Sequence, residues 1–131
     1  SFMNKFQKNP ILGHITTFGG HPVIAAAGFE SLSIILKERL SKKTLEKEKL
    51  FRSLLKHPYI QEIRGKGLMI ALILKNEKLA NQLVLKSLHN GLILFWLLYE
   101  KKAVRITPPL NISETEIKKG CKIILRVLNS I

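Results

Sequence analysis

The sequence predicts an α+β fold in which helices pack on one face of a small sheet. Two observations predict it. From residue 60 onward, apolar runs of strand length alternate with amphipathic helical patterns in the order β-β-α-β-β-α. Before that region, a glycine-containing loop leads into a long apolar helix. We therefore divide the chain into residues 1–40, a loop and a helix, and residues 41–131, the α+β domain.

Two helices are expected in the first half of the chain. Pro22 suits the first position of a helix, and the predicted helix from Val23 to Leu40 is apolar on most of its circumference. Such a helix is expected to contact protein on nearly every side. A second helix is predicted from Thr44 to Lys56, with its apolar face formed by Leu50, Phe51, Leu54 and Leu55.

The periodicity then changes to that of strands. Strands are predicted from Ile60 to Arg64 and from Leu68 to Leu74, joined by a tight Gly65-Lys66-Gly67 turn whose glycines permit positive φ. We expect Arg64 and these glycines to be structural and to hold the turn. The two strands should therefore form a hairpin.

The remaining elements follow in order. A short helix over residues 78–90 is closed by Asn90-Gly91, and strands are predicted over residues 92–98 and 103–106. Phe95 and Trp96 lie in an apolar run, so we expect them in the core, with a substrate pocket as the alternative. The last helix begins with a capping box of Ser113 and Glu116 and buries one stripe: Ile117, Cys121, Ile124, Leu125 and Leu128.

Charge and cysteine content restrict the class of protein. Lys and Arg number 22 against 9 acidic residues, all of them glutamate, so the formal charge is +13 and an anionic partner is expected. The basic residues are scattered rather than clustered with aromatics, which argues against nucleic acid as the partner. The single Cys121, the lack of a leader pattern and the short apolar runs predict a cytoplasmic protein with no disulfide and no membrane partner.

Two blocks resemble anion sites. Residues 13–22 place Thr16, Thr17 and two glycines before a helix-starting proline, where hydroxyls and helical N–H groups can hold a phosphate. Residues 105–110, Arg-Ile-Thr-Pro-Pro-Leu, offer Arg105 as a clamp for an acidic substrate.

No metal site is expected. Zinc sites need three or four ligands, and His14 and His21 have no third ligand at a suitable spacing. His57 and His89 occupy predicted helix ends, where an imidazole suits the helix dipole.

Three blocks in order carry a family resemblance: residues 16–22 (TTFGGHP), 62–69 (EIRGKGLM) and 105–110 (RITPPL). With them, the chain resembles the C-terminal part of class III pyridoxal-phosphate (PLP) aminotransferases, the ornithine and acetylornithine aminotransferase group. The resemblance implies the small C-terminal domain of a fold type I enzyme, preceded by a phosphate-binding loop and an interdomain helix. It also implies a homodimer with active sites at the subunit interface.

The same resemblance implies roles for three residues. Thr16 and Thr17 would reach the phosphate of PLP in the partner subunit, with Thr17 as the principal ligand, and Arg105 would hold the substrate carboxylate. His21 stands where the family more often has asparagine, which leaves the cap geometry open.

The sequence lacks two parts that such an enzyme needs. No lysine lies in the context of the Schiff-base lysine, and the chain has no aspartate to pair with the pyridine nitrogen. We therefore place no catalytic residue in this chain and expect a C-terminal fragment, inactive alone, of an enzyme that moves an amino group from an amino donor to a 2-oxo acid. An aminomutase or decarboxylase on the same scaffold, or a stand-alone basic binding module for an anionic partner, remains an alternative.

Overall fold

A computed structural model describes Asn4 and residues 15–131, and this part of the chain forms four helices and four strands. The chain divides after Glu38 into two compact units, and the second unit runs from Arg39 to Ile131. The predicted order β-β-α-β-β-α from residue 60 onward is confirmed. The elements are α1 (Pro22–Lys37), α2 (Leu40–Leu54), β1 (Ile60–Lys66), β2 (Met69–Leu74), α3 (Glu77–His89), β3 (Phe95–Trp96), β4 (Ala103–Ile106) and α4 (Glu114–Asn129).

The predicted boundary between the first two helices is wrong. α1 ends at Lys37 instead of Leu40, and α2 begins at Leu40, four residues before the predicted Thr44. Between them Arg39 adopts a left-handed conformation, with φ 53°, which ends the helical hydrogen-bond ladder. Leu40 is then buried as the first residue of α2, so its apolar side chain belongs to the second unit.

The sheet is antiparallel, with strand order β1-β2-β4-β3. Alternate residues of the inner strands point to opposite faces. One face, the helix face, carries the main core with α2, α3 and α4, and its strand residues are Ile70, Leu72, Leu74, Val104 and Ile106. The opposite face, the second face, carries a smaller cluster of Ala71, Ile73 and Ala103 with Leu97.

A strand forms within the predicted range 92–98 but is much shorter, and the prediction that Phe95 and Trp96 lie in the core is wrong. β3 contains only these two residues, and their exposed fractions are 51% and 44%. β3 is one of the two edge strands, so only one side of it is paired. Trp96 lies opposite Val104 and donates a hydrogen bond from Nε1 to Oδ1 of Asn81 at 2.7 Å.

The helix-capping predictions are confirmed. Ser113 and Glu116 form the capping box at the start of α4, and Gly91, with φ 77°, follows the end of α3. Leu125 of the predicted stripe is only half-buried, and Val127 is buried in addition. The other four residues of the stripe are buried as predicted: Ile117, Cys121, Ile124 and Leu128.

The hairpin between β1 and β2 is tighter than predicted. β1 runs through to Lys66, so the turn consists of Gly67 and Leu68, and Gly65 lies in the strand with φ 115°. A Cβ at Gly65 would collide with the carbonyl of Met69, so this position requires glycine.

An ion pair on α2 holds this turn. Arg52 donates to Oε1 of Glu48 at 2.8 Å and to the carbonyls of Ile63 and Gly65, while the other Glu48 oxygen accepts the N–H of Gly67. These bonds hold the pKa of Glu48 below its usual value, and the bond from the N–H of Gly67 contributes more than the bond from Arg52. The side chains of Glu48 and Arg52, not that of Arg64, therefore fasten the hairpin to α2.

Within residues 15–131 and at Asn4, none of the helices has the length and apolar character needed to cross a bilayer.

Replacing Glu48 with Gln should destabilise the second unit by about 1–2 kcal/mol at neutral pH, because the charge-assisted bonds to the turn are lost. A carboxyl whose pKa is lowered by folding stabilises above its usual pKa of 4.5, and this contribution disappears as the pH falls through the lower folded value. Urea denaturation should therefore show the gap between native protein and Glu48→Gln closing below about pH 4. Glu46→Gln, at an exposed position of the same helix, is the control; equal effects of the two variants would contradict the prediction.

Cys121 should be unreactive in the folded protein. Its side chain is buried, and burial raises the pKa of the thiol to about 11. Alkylation by iodoacetamide at pH 8 should be at least about 100-fold slower in native protein than in denaturant, because both thiolate formation and access are reduced. Comparable rates in the two conditions would show that the core around α4 opens readily.

Candidate functional site

The first candidate site is the loop that precedes α1, within the first unit. The loop is closed by hydrogen bonds from the N–H of Gly19 to the carbonyl of Thr16 (3.2 Å) and from the N–H of His21 to the carbonyl of Phe18 (3.1 Å). Thr16 and Thr17 are exposed, and within the described part of the chain their hydroxyls bind no protein atom. Gly13 and His14, the first residues of this block, lie outside the described residues.

Glycines allow this loop to form. A Cβ at Gly19 would lie too close to Oγ1 of Thr16, so any other residue here would displace this hydroxyl. Gly20 has φ 76°, in the left-handed region, and the chain then turns into α1 at Pro22.

The start of α1 adds unpaired donors to the two hydroxyls. His21 at the N-cap makes no side-chain capping bond, and no acidic residue lies in the first turn. The N–H groups of Val23 and Ile24 precede the first helical bond, which runs from Ala25 to the carbonyl of His21. Hydroxyls and positive helix-end N–H groups are the donors that phosphate prefers, so these residues fit the phosphate of PLP.

α1 itself has no buried residue. Its apolar side chains are widely exposed, with exposed fractions of 70% for Val23, 69% for Phe29 and 67% for Leu36. Exposed apolar area of this extent is typical of surfaces that contact protein. The expected role of this helix between two domains stays a prediction.

A second, separate candidate site lies on the second face of the sheet, within the second unit. The strand registers place Arg64, Ala71, Arg105 and Phe95 opposite one another, in one row across β1, β2, β4 and β3. Arg105 is exposed, and its guanidinium carbon lies 5.1 Å from the centre of the Phe95 ring. Among the described residues Arg105 forms no ion pair and no side-chain hydrogen bond.

A groove of about 340 Å³ lies along the part of this row formed by Arg64, Ala71 and Arg105. Both arginines line it, but their donors differ. Arg64 donates from Nη2 to Oε2 of Glu62 at 2.7 Å, and this bond lowers the pKa of Glu62 and raises that of Arg64. The guanidinium of Arg105 keeps its donors available. The groove is lined by Arg64, Gly65, Met69, Ile70, Ala71, Leu97, Arg105 and Thr107.

The segment after Arg105 is fixed to α2. β4 ends at Ile106, and the following loop is held by a hydrogen bond from Nζ of Lys47 to the carbonyl of Leu110 at 2.7 Å. The N–H of Ile112 also bonds to the carbonyl of Pro109 at 3.0 Å. The loop that follows Arg105 is therefore fastened to α2 at Leu110.

The side chain of His57 is hydrogen-bonded to other protein groups. His57 contacts Oδ1 of Asn129 through Nε2 at 3.2 Å and accepts the N–H of Tyr59 at Nδ1. No group of three or more potential metal ligands lies together in the region that the structure describes. His14 lies outside that region.

Two features of the site escape sequence reasoning. The Glu48–Arg52 pair has the i,i+4 spacing of a helix ion pair, but nothing in the sequence indicates that it binds a hairpin turn. The contact of Phe95 with Arg105 depends on the strand register, which the sequence pattern does not specify.

Comparison with known proteins gives consistent results. Residues 2–128 match the family model described as "Aminotransferase class-III". The acetylornithine aminotransferase of Caldanaerobacter subterraneus subsp. tengcongensis is 37% identical over 123 residues, which cover 90% of this chain and 30% of that protein.

Solved structures share the fold. The acetylornithine aminotransferase of Elizabethkingia anophelis superposes with a TM-score of 0.80 at 30% identity, over 90% of this chain and 32% of that one. The ornithine aminotransferase of Toxoplasma gondii, whose active site holds PLP at partial occupancy, superposes with a TM-score of 0.76 at 28% identity. The match covers 91% of this chain and 29% of that one. The chain thus spans about 30% of the length of the curated relatives it matches. The predicted α+β fold of a fold type I C-terminal domain is confirmed.

The family match extends over nearly the whole sequence, and the relatives with solved structures share its helices and sheet. The chain belongs to the class III aminotransferase family.

Proposed function

We propose that this chain supplies the C-terminal part of a PLP-dependent aminotransferase that moves an amino group from an amino donor to a 2-oxo acid. The observation that carries the proposal is Arg105, an exposed guanidinium with unoccupied donors in a groove of a class III aminotransferase chain. The lysine that bonds to the cofactor and the aspartate that pairs with its ring would come from the rest of the enzyme. The chain itself supplies binding groups.

The loop before α1 would hold the cofactor. Class III aminotransferases use PLP, whose ring withdraws electrons from the bound amino substrate when the cofactor is present. Thr17 and Thr16 would donate hydroxyl hydrogen bonds to the phosphate, and the N–H groups of Val23 and Ile24 would favour its charge. The cofactor would be that of the partner subunit in a homodimer, and the exposed apolar surface of α1 supports an extensive contact with other protein.

Arg105 would hold the carboxylate of the substrate. A guanidinium offers two parallel N–H donors to a carboxylate, which fixes the orientation of the substrate as well as its charge. The cross-strand neighbour of Arg105 in the groove is the small, apolar Ala71, which leaves room for a substrate beside the guanidinium. The names of the relatives point to ornithine or acetylornithine as the class of amino donor. We propose a cytoplasmic enzyme, which suits the single buried Cys121.

Replacing Arg105 with Ala in the complete enzyme should raise KM for carboxylate substrates about 10- to 100-fold, the effect of losing a charge-assisted hydrogen bond of about 1.5–3 kcal/mol. Steady-state kinetics with a carboxylate-bearing substrate measures it. Arg64→Ala is the matched control, because Arg64 lines the same groove but is paired with Glu62. An unchanged KM in Arg105→Ala, or an equal increase in both variants, would contradict the role of Arg105.

Replacing Thr17 with Val should weaken PLP binding about 10-fold, because valine keeps the shape of threonine but cannot donate to a phosphate. Equilibrium dialysis of the complete enzyme against PLP gives the dissociation constant. The inhibition constant of inorganic phosphate, measured as a competitor of PLP, should rise in parallel. Thr115→Val, at an exposed position of α4, should leave both values unchanged. Equal PLP affinity in Thr17→Val and the native enzyme would remove Thr17 from the phosphate site.

A further inference from the structure

We propose that Phe95 is a positioning residue for Arg105: its ring holds the guanidinium on the second face of the sheet and leaves the N–H donors free for the substrate carboxylate. The inference rests on the proposed function, in which Arg105 binds that carboxylate. It assigns a role to an exposed aromatic side chain of the edge strand.

The strand register brings the two side chains together. Phe95 of β3 lies directly opposite Arg105 of β4, so both side chains project from the same face of the sheet. The guanidinium carbon lies 5.1 Å from the ring centre, inside the range of about 6 Å in which a cation is attracted by an aromatic ring. Backbone pairing thus places the two side chains next to each other.

The direct cross-strand neighbour of Arg105 on β2 gives it little support. On the opposite side of the row lies Ala71, whose methyl group is too short to pack along an arginine side chain. No carboxylate pairs with Arg105 among residues 15–131. An unsupported arginine would lose about 2 kcal/mol of rotamer entropy on binding a ligand, so a contact that restricts it beforehand improves binding.

The two arginines of the row are held in different ways. Glu62 holds Arg64 through an ion pair, which occupies guanidinium donors and neutralises the charge. A ring face does neither, because cation–π attraction uses the π electrons and leaves all five N–H donors available. Of the two arginines, only Arg105 is therefore oriented and still able to bind a carboxylate fully.

This contact also accounts for the exposure of Phe95. About half of the side chain is exposed, on a strand of two residues at the sheet edge, where burial alone favours an aromatic weakly. Its neighbour Trp96 has a different environment, because it points to the helix face and donates to Asn81. The two adjacent aromatics thus offer a matched pair for experiment.

The test uses the complete enzyme with Phe95→Leu, Phe95→Tyr and Arg105→Ala, singly and with Phe95→Leu combined with Arg105→Ala. Phe95→Leu should raise KM for a carboxylate substrate about 3- to 10-fold and change kcat less than about twofold, because ground- and transition-state binding weaken equally. Phe95→Tyr should restore the native KM. In the Arg105→Ala background, Phe95→Leu should have no further effect. The affinity for propionate, measured by calorimetry, should be highest in the native enzyme and Phe95→Tyr, lower in Phe95→Leu and lowest in Arg105→Ala.

Trp96→Leu is the control, and it should leave KM for the carboxylate substrate unchanged. Pentafluorophenylalanine at position 95 tests the contact if the leucine variant fails to fold, because fluorination keeps the ring and removes its attraction for a cation. It should raise KM as leucine does.

The inference is overturned if Phe95→Leu or the fluorinated ring leaves KM native, if kcat falls in place of a rise in KM, or if Trp96→Leu has the same effect. Additivity with Arg105→Ala overturns it too. A raised KM in Arg105→Ala together with a native KM in Phe95→Leu rejects this inference alone. A native KM in Arg105→Ala rejects the carboxylate role of Arg105 itself.

Discussion

The register of the central strand β2 is the constraint on which the rest of the second unit depends. Its even-numbered residues Ile70, Leu72 and Leu74 enter the main core, and its odd-numbered residues Ala71 and Ile73 face the other way. Because side chains alternate, a shift by one residue would exchange the two sets. Full burial of a leucine or isoleucine contributes about 2 kcal/mol, so exposing three of them would cost several kcal/mol. The same register places Ala71 between Arg64 and Arg105 and so opens the groove.

The hairpin turn and α2 reinforce this register. Gly65 and Gly67 adopt conformations that other residues avoid, and Glu48 and Arg52 bind the backbone around them. A helix that packs in the core on one face of the sheet is therefore also hydrogen-bonded to the end of the sheet. The positions of the arginines on the second face thus depend on hydrogen bonds that Glu48 and Arg52 make at the turn and not on that face.

Much of this fold could be predicted from the sequence, because its signals are local. The caps at Ser113 and Gly91 and the order of the elements follow from short patterns, and all are found in the structure. The break at Arg39 could not be predicted, since arginine carries no signal for a left-handed conformation. The exposure of Phe95 and Trp96 depends on which strand lies at the edge, and strand order is a property of the whole sheet. For the site, Thr16, Thr17 and Arg105 follow from motifs, whereas the contact of Phe95 with Arg105 needs the register.

The hydrogen bond between Trp96 and Asn81 gives the chain an optical reporter. Trp96 is the single tryptophan among the 131 residues, and its indole N–H is bonded to an amide of α3. Separation of β3 from the helix would break this bond, hydrate the indole and shift its emission to longer wavelength. Since β3 consists of Trp96 and Phe95 alone, the emission spectrum of this chain reports the state of the strand whose other residue lies against Arg105.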